Sequence, residues 1–140
     1  MLHLFSKILL GLFLTSLLFL QAHAQTASDA SNPSATLEQR INQYLTALKL
    51  NDLATAYKME SGSLDGTLTA DTFHRLATQS SAQLIDYKIK AIAVENDSAT
   101  VDLDVVYQYP QLHKPYETTR KASWKKIDGQ WYQQSSKPKL

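Results

Sequence analysis

The sequence predicts an α+β fold in which N-terminal helices pack on a curved antiparallel sheet of about four strands. Apolar residues recur three to four positions apart between residues 37 and 77, a spacing typical of helices. From Leu84 onward they alternate with polar residues, as in half-buried strands, and turn-forming residues separate the alternating segments. Helices followed by consecutive antiparallel strands favour a single α+β domain.

Residues 1–24 have the pattern of a secretory signal peptide. Lys7 precedes an apolar run over residues 8–20, and an Ala-His-Ala sequence supplies the small residues of a cleavage site. The run has 13 residues, whereas spanning a bilayer takes about 20. We therefore expect cleavage after Ala24, a periplasmic or secreted location, and no stable membrane insertion of the mature chain.

Composition narrows the chemistry that the mature chain can perform. It has no cysteine, which excludes disulfides, thiol nucleophiles and thiolate metal sites. Loss of Lys7 leaves equal numbers of basic and acidic residues, but residues 113–140 hold 7 bases and 2 acids. An anionic partner would explain this excess. Pairing of Lys121, Lys125 and Lys126 with Asp102 and Asp104 on the preceding strand explains it more simply, and we expect no nucleic-acid partner.

The N-terminal half predicts three helices. Residues 25–36 are small and polar and predict a disordered leader; Thr36 then caps a helix whose inward positions are Leu37, Ile41, Tyr44, Leu45 and Leu48. Asp52 caps a short second helix, and residues 60–66 form a loop. Thr69 caps the third helix, whose inward residues are Phe73, Leu76 and Ala77.

The C-terminal half predicts an antiparallel meander. In the first strand Ile85, Tyr87, Ile89 and Ala91 share one parity, whereas Ile92 and Val94 take the other, which indicates a bulge. A turn at Asn96-Asp97-Ser98 leads to a strand with Val101, Leu103, Val105, Tyr107 and Tyr109 on one face. A strand over residues 116–127, an Asp128-Gly129 hairpin and a short strand over 130–134 follow. The hairpin pairs Trp124 with Gln133, which puts both tryptophans on one face; residues 135–140 are a solvated tail.

Residues 37–134 resemble the nuclear transport factor 2-like superfamily, also called the cystatin-like cone fold. The resemblance rests on the break at Asn51-Asp52 followed by Ala56-Tyr57, on Phe73, and on the ending WKKIDGQW at 124–131. It implies helices covering one face of a curved sheet, and a small exported bacterial member. A one-helix cystatin arrangement is an alternative at this level of pattern. The fold hosts enzymes, ligand carriers and structural modules, so it does not specify function.

The superfamily's enzymes, such as ketosteroid isomerase, scytalone dehydratase and limonene-epoxide hydrolase, place acids and bases inside the cone. In this chain Asp102 and Asp104 have the outward parity, so no catalytic residue can be carried over. His74 in the third helix, near Asp71, is the best candidate for a general base, although a histidine on the surface fits the same pattern. The histidine spacing does not favour a metal site, and we expect no cofactor.

Aromatic residues predict a pocket for a small apolar ligand, although a filled aromatic core would have the same pattern. The predicted pocket residues are Tyr57, His74, Tyr87, Tyr107, Tyr109 and Trp124. The leading hypothesis is an exported, non-enzymatic module of the cell envelope that binds such a ligand or another envelope protein. The alternatives are a pocket enzyme that uses His74, and a homodimer joined through Tyr116, Trp124 and Trp131 on the sheet face.

Overall fold

The computed structural model describes the backbone of residues 33–135 and the side chains of residues 36–135. The predicted signal peptide, most of the leader and the last five residues lie outside this range. Among the described helices none has the length and apolar character needed to cross a membrane.

The first helix, α1, spans Pro33–Lys49. It begins one turn earlier than predicted, so residues 33–36, which we placed in the disordered leader, are helical. Proline is favoured in a first helical turn because its missing N–H would have no partner there. The predicted inward face is confirmed, since Leu37, Ile41, Tyr44 and Leu45 are all buried.

Two of the three helices after α1 begin at the predicted caps. In α2, Leu53–Tyr57, the Asp52 side chain accepts a hydrogen bond from the backbone N–H of Thr55 at 3.1 Å. In the fourth helix, α4, Ala70–Thr78, Thr69 accepts one from the N–H of Thr72 at 3.2 Å. Each side chain satisfies an N–H that the helix itself leaves without a partner, which explains why the helices begin there.

The segment between these helices differs from the prediction. Residues predicted as a loop contain a short helix, α3, Gly62–Asp65, which ends at Gly66 in a left-handed conformation (φ +74°). Leu76 of α4 was predicted to be inward, yet it is 41 % exposed. It lies beside an open cleft rather than in the packed core.

Four antiparallel strands form one open sheet in the order β1-β2-β3-β4. They are β1, Gln83–Glu95; β2, Ser98–Gln108; β3, Tyr116–Ile127; and β4, Gln130–Gln133. Asn96 (φ +54°) lies in the first hairpin turn, and Asp128 and Gly129 form the last. The register Trp124↔Gln133 and Lys126↔Trp131 is confirmed, and both tryptophans are buried on the helix-covered side.

Two bulges in β1 keep its apolar side chains inward. One lies at Ile85, between Leu84 and Asp86, and the other at Lys90, between Ile89 and Ala91. An extra residue reverses the parity of those that follow, so the inward set becomes Leu84, Tyr87, Ile89, Ile92 and Val94. The predicted phase change is therefore real, but the earlier bulge was missed. Ala91, predicted to be inward, is exposed because it follows the second bulge.

Trp124 is the largest fully buried side chain, 1 % exposed, and lies between the sheet and α1. Its ring contacts that of Tyr44 edge to face, with centroids 5.7 Å apart. The indole N–H groups of Trp124 and Trp131 have no hydrogen-bond partner among the described residues. Burying an unpaired N–H is unfavourable, so the stabilisation by Trp124 comes from apolar packing.

The outer face of the sheet carries two ion pairs between strands. Lys121 pairs with Asp102 at 2.8 Å and Lys90 with Asp104 at 3.5 Å. The predicted outward direction of both aspartates is thus confirmed. The predicted cross-strand pairing holds for Lys121 only, because Lys125 and Lys126 form no ion pair with a described residue.

Trp124→Ala should lower the free energy of unfolding by about 3–5 kcal/mol, because it removes a buried aromatic side chain and leaves a cavity. Tyr116→Ala is the matched control on β3, since Tyr116 points to the same face but is 49 % exposed. Urea-induced unfolding of both variants measures the difference. Equal losses would contradict the assigned core.

Candidate functional site

An open cleft of about 1040 Å³ lies between the helices and the inner face of the sheet. Its walls come from α1, α4 and the strands β1, β2 and β3, and they combine apolar with polar residues; the apolar ones include Leu45, Leu48, Phe73, Leu76, Leu84, Leu103 and Val105. Concave sites with apolar walls and polar groups that orient the ligand are common binding sites for small molecules. The charged residues of this cleft include Glu60 and Arg120, and Arg120 is hydrogen-bonded to Tyr107.

Glu60 brings a carboxyl group into the cleft from the segment after α2. The backbone of this segment pairs with the end of β4: Gln133 N–H donates to Met59 O at 2.8 Å, and Ser61 N–H donates to Gln133 O at 2.9 Å. This pairing fixes Glu60 inside the fold, where it is 5 % exposed and is the one buried charged residue in the described part of the chain.

Two hydroxyl groups satisfy the Glu60 carboxyl. Tyr44 donates to Oε1 at 2.5 Å, and Ser135 donates to Oε2 at 2.8 Å. Burial raises the pKa of Glu60, and the two hydrogen bonds oppose that rise without cancelling it. The pKa of Tyr44 is raised well above its usual value by burial and then by the nearby Glu60, while the charge of Arg120 acts in the opposite direction. The electrostatic environment of the Tyr44 phenol therefore includes both the Glu60 carboxyl and the positive charge of Arg120.

Arg120 projects from the inner face of the sheet. It pairs directly with Leu103 in the β2–β3 register, so its side chain is on the same face as that buried leucine. Its Nη1 donates to the Tyr107 hydroxyl at 2.7 Å. It forms no ion pair with any residue between 36 and 135.

The structure places only two of the six predicted pocket residues, Tyr107 and Tyr109, on the wall of the cleft. Trp124 packs against the ring of Tyr44 in the core. Tyr57 uses its hydroxyl to donate to Leu68 O at 3.0 Å and packs on Phe73. Tyr87 packs against α1, with its hydroxyl 3.2 Å from Thr46 Oγ1.

His74 is exposed on α4 and is not among the cleft residues. Asp71 is also exposed. The helical spacing that turns Phe73 inward turns its neighbour His74 toward solvent, so the predicted general base is not positioned to act in this cleft. No group of three potential metal ligands occurs within the described residues.

Glu60 and Arg120 were missed by reasoning from the sequence. Alternation along a strand identifies inward acids on strands only, whereas Glu60 follows a helix and becomes buried through pairing with β4. Arg120 was detectable, because it lies four residues before the inward Trp124 and strand side chains alternate with a period of two. Of the three residues in the predicted dimer surface, Trp124 and Trp131 are buried within one chain, and Tyr116 is exposed.

Solved structures resemble this chain. A SEC-C motif protein from Rhodopseudomonas palustris superposes with a TM-score of 0.55 at 12% identity, over 75% of this chain and 77% of that one. An NTF2-like protein from Cytophaga hutchinsonii gives 0.55 at 18% identity, over 73% and 93%. One from Shewanella oneidensis, of unknown function, gives 0.51 at 20% identity, over 75% and 99%.

The chain has the nuclear transport factor 2-like fold. The predicted α+β class is thereby confirmed, with helices on one face of a four-stranded antiparallel sheet. At these identities the likeness concerns the fold alone. No family model and no curated protein matches the sequence.

The raised pKa of Glu60 predicts a pH dependence of stability. Its stabilising contribution is complete below the ordinary pKa of 4.5 and is lost as the pH rises through the higher pKa of the folded state. As the pH rises above about 4, the free energy of unfolding of the wild type should fall relative to that of Glu60→Gln, which cannot titrate. Urea unfolding at each pH measures this difference.

Asp65→Asn is the control, because hydrogen bonds from Thr67 lower the pKa of that exposed carboxyl. The contribution of Asp65 is complete above its ordinary pKa of 3.8 and is lost only as the pH falls below it. The difference in the free energy of unfolding between Asp65→Asn and the wild type should therefore stay constant as the pH rises. A constant difference for Glu60→Gln as well would contradict the buried acid.

Proposed function

We propose that this protein is an exported, non-enzymatic binding module of the cell envelope that takes up a small, largely apolar molecule in its cleft. The cleft itself is the observation that carries the proposal, because apolar side chains from both layers line it without filling it. Export rests on the signal-peptide pattern of residues 1–24.

The placement of the polar groups favours binding over catalysis. A general base must reach the reacting atom. Glu60 is 5 % exposed, and its two carboxyl oxygens accept hydrogen bonds from Tyr44 and Ser135, so a molecule in the cleft has little access to them. These bonds join three segments of the chain, so the carboxyl serves the stability of the site. A pocket enzyme that uses His74 is not supported by this geometry, because His74 lies outside the cleft.

Ala77→Trp should weaken uptake of an apolar probe, because Ala77 lines the cleft and is half-buried, so an indole there would occupy the space of the ligand. The probe is the neutral dye Nile red, whose fluorescence rises on transfer out of water. We expect the wild type to bind it and the variant to bind at least about tenfold more weakly.

Ala54→Trp is the matched control, since Ala54 is an exposed helical alanine that does not line the cleft. It should bind Nile red as the wild type does. Circular dichroism of both variants establishes that they are folded. Equal binding by the two folded variants, or no binding by the wild type, would overturn the proposal.

A further inference from the structure

Arg120 gives the cleft a positively charged side chain on the inner face of the sheet. The inner-face residues of β3 that line the cleft are Tyr116, Thr118, Arg120 and Ala122, and Arg120 is the charged one among them. Their partners on β2 include Leu103, Val105 and Val101, all buried. The guanidinium of Arg120 therefore projects from an apolar surface into the cleft, where its side chain is exposed.

The described residues provide no anionic partner. The aspartates of β2 pair with lysines on the opposite face: Asp102 with Lys121 and Asp104 with Lys90. Glu60 is engaged by Tyr44 and Ser135. The side chain of Arg120 donates to a single described acceptor, the hydroxyl of Tyr107, and a guanidinium has five N–H donors in a planar fork.

Tyr107 extends the donor set. Its hydroxyl oxygen accepts from Arg120 at 2.7 Å, and its own proton is donated to none of the described residues. Both side chains line the cleft, and Arg120 is accessible from it, since its side chain is exposed. A planar guanidinium beside a phenol O–H suits a carboxylate, which accepts from both.

We infer that the cleft binds an amphipathic carboxylate, with its carboxylate held by Arg120 and Tyr107 and its apolar chain along Leu84, Leu103 and Val105. This inference rests on the proposed function, and adds the charge and chemical class of the ligand. A neutral molecule of the same shape would fit the apolar wall but leave the guanidinium without an anion.

The test compares decanoate with decanol, which has the same chain length and no charge, as competitors for bound Nile red below their aggregation concentrations. We expect the wild type to bind decanoate at least about tenfold more tightly, the effect of a hydrogen bond to a charged group. Arg120→Met should remove this preference by weakening decanoate binding alone, and Tyr107→Phe should reduce it in part. Arg75→Met, at an exposed arginine outside the cleft, should leave it unchanged.

The outcomes separate the two claims. If Nile red and decanol bind but decanoate gains no advantage, or if Arg120→Met keeps that advantage, the carboxylate assignment is wrong while the binding function remains. The same holds if Arg75→Met removes the advantage as fully as Arg120→Met, because a general charge effect would then explain it. If none of the three compounds binds to the wild type, both the binding function and the carboxylate assignment fail.

Discussion

The buried carboxyl of Glu60 joins the parts of this fold that are farthest apart in sequence. It accepts hydrogen bonds from Tyr44 on α1 and from Ser135 beyond β4, while its own backbone segment pairs with Gln133. Burying a carboxylate away from water is unfavourable unless hydrogen bonds satisfy it. The position of Glu60 therefore depends on both hydroxyl groups, and α1 and the C-terminal segment are held in place by the same contacts.

The Tyr44 ring links this polar cluster to the core. Its hydroxyl contacts Glu60 and its ring packs on Trp124, so one side chain both lies in the core and lines the cleft. Below Tyr44 the space between α1 and the sheet is filled by Trp124. Beyond Tyr44, toward α4 and the ends of β1 and β2, the two layers line the cleft without filling it. The boundary between core and cleft thus lies at Tyr44, with Arg120 on the cleft side.

Most of the fold followed from local patterns in the sequence. Asp52 and Thr69 were recognisable as helix caps, and the Asp128-Gly129 turn set the register that buries both tryptophans. Such features depend on neighbours within a few residues. The bulge at Ile85 did not follow, because an aliphatic residue there fits either parity and only the pairing with β2 decides it. Leu76 was misplaced for a similar reason, since helical spacing identifies a face but not whether a neighbour covers it.

The site was less predictable than the fold. Tyr107 and Tyr109 were identified by the alternation of β2, but aromatic residues are equally common in cores, and Trp124 belongs to the core. Glu60 depends on contact with residues more than 70 positions away, at Gln133 and Ser135. Contacts at such a separation leave no local pattern in the sequence. Arg120 could have been identified as a residue of the site from the sequence, because the alternation of β3 already placed it on the inner face.

The central claim is that the cleft of the folded protein is a binding site. Native mass spectrometry of the purified protein tests it most directly when the folded and denatured forms are compared. The account predicts an additional mass on the folded protein that is lost on unfolding. A single mass equal to that of the bare chain in both states would contradict it.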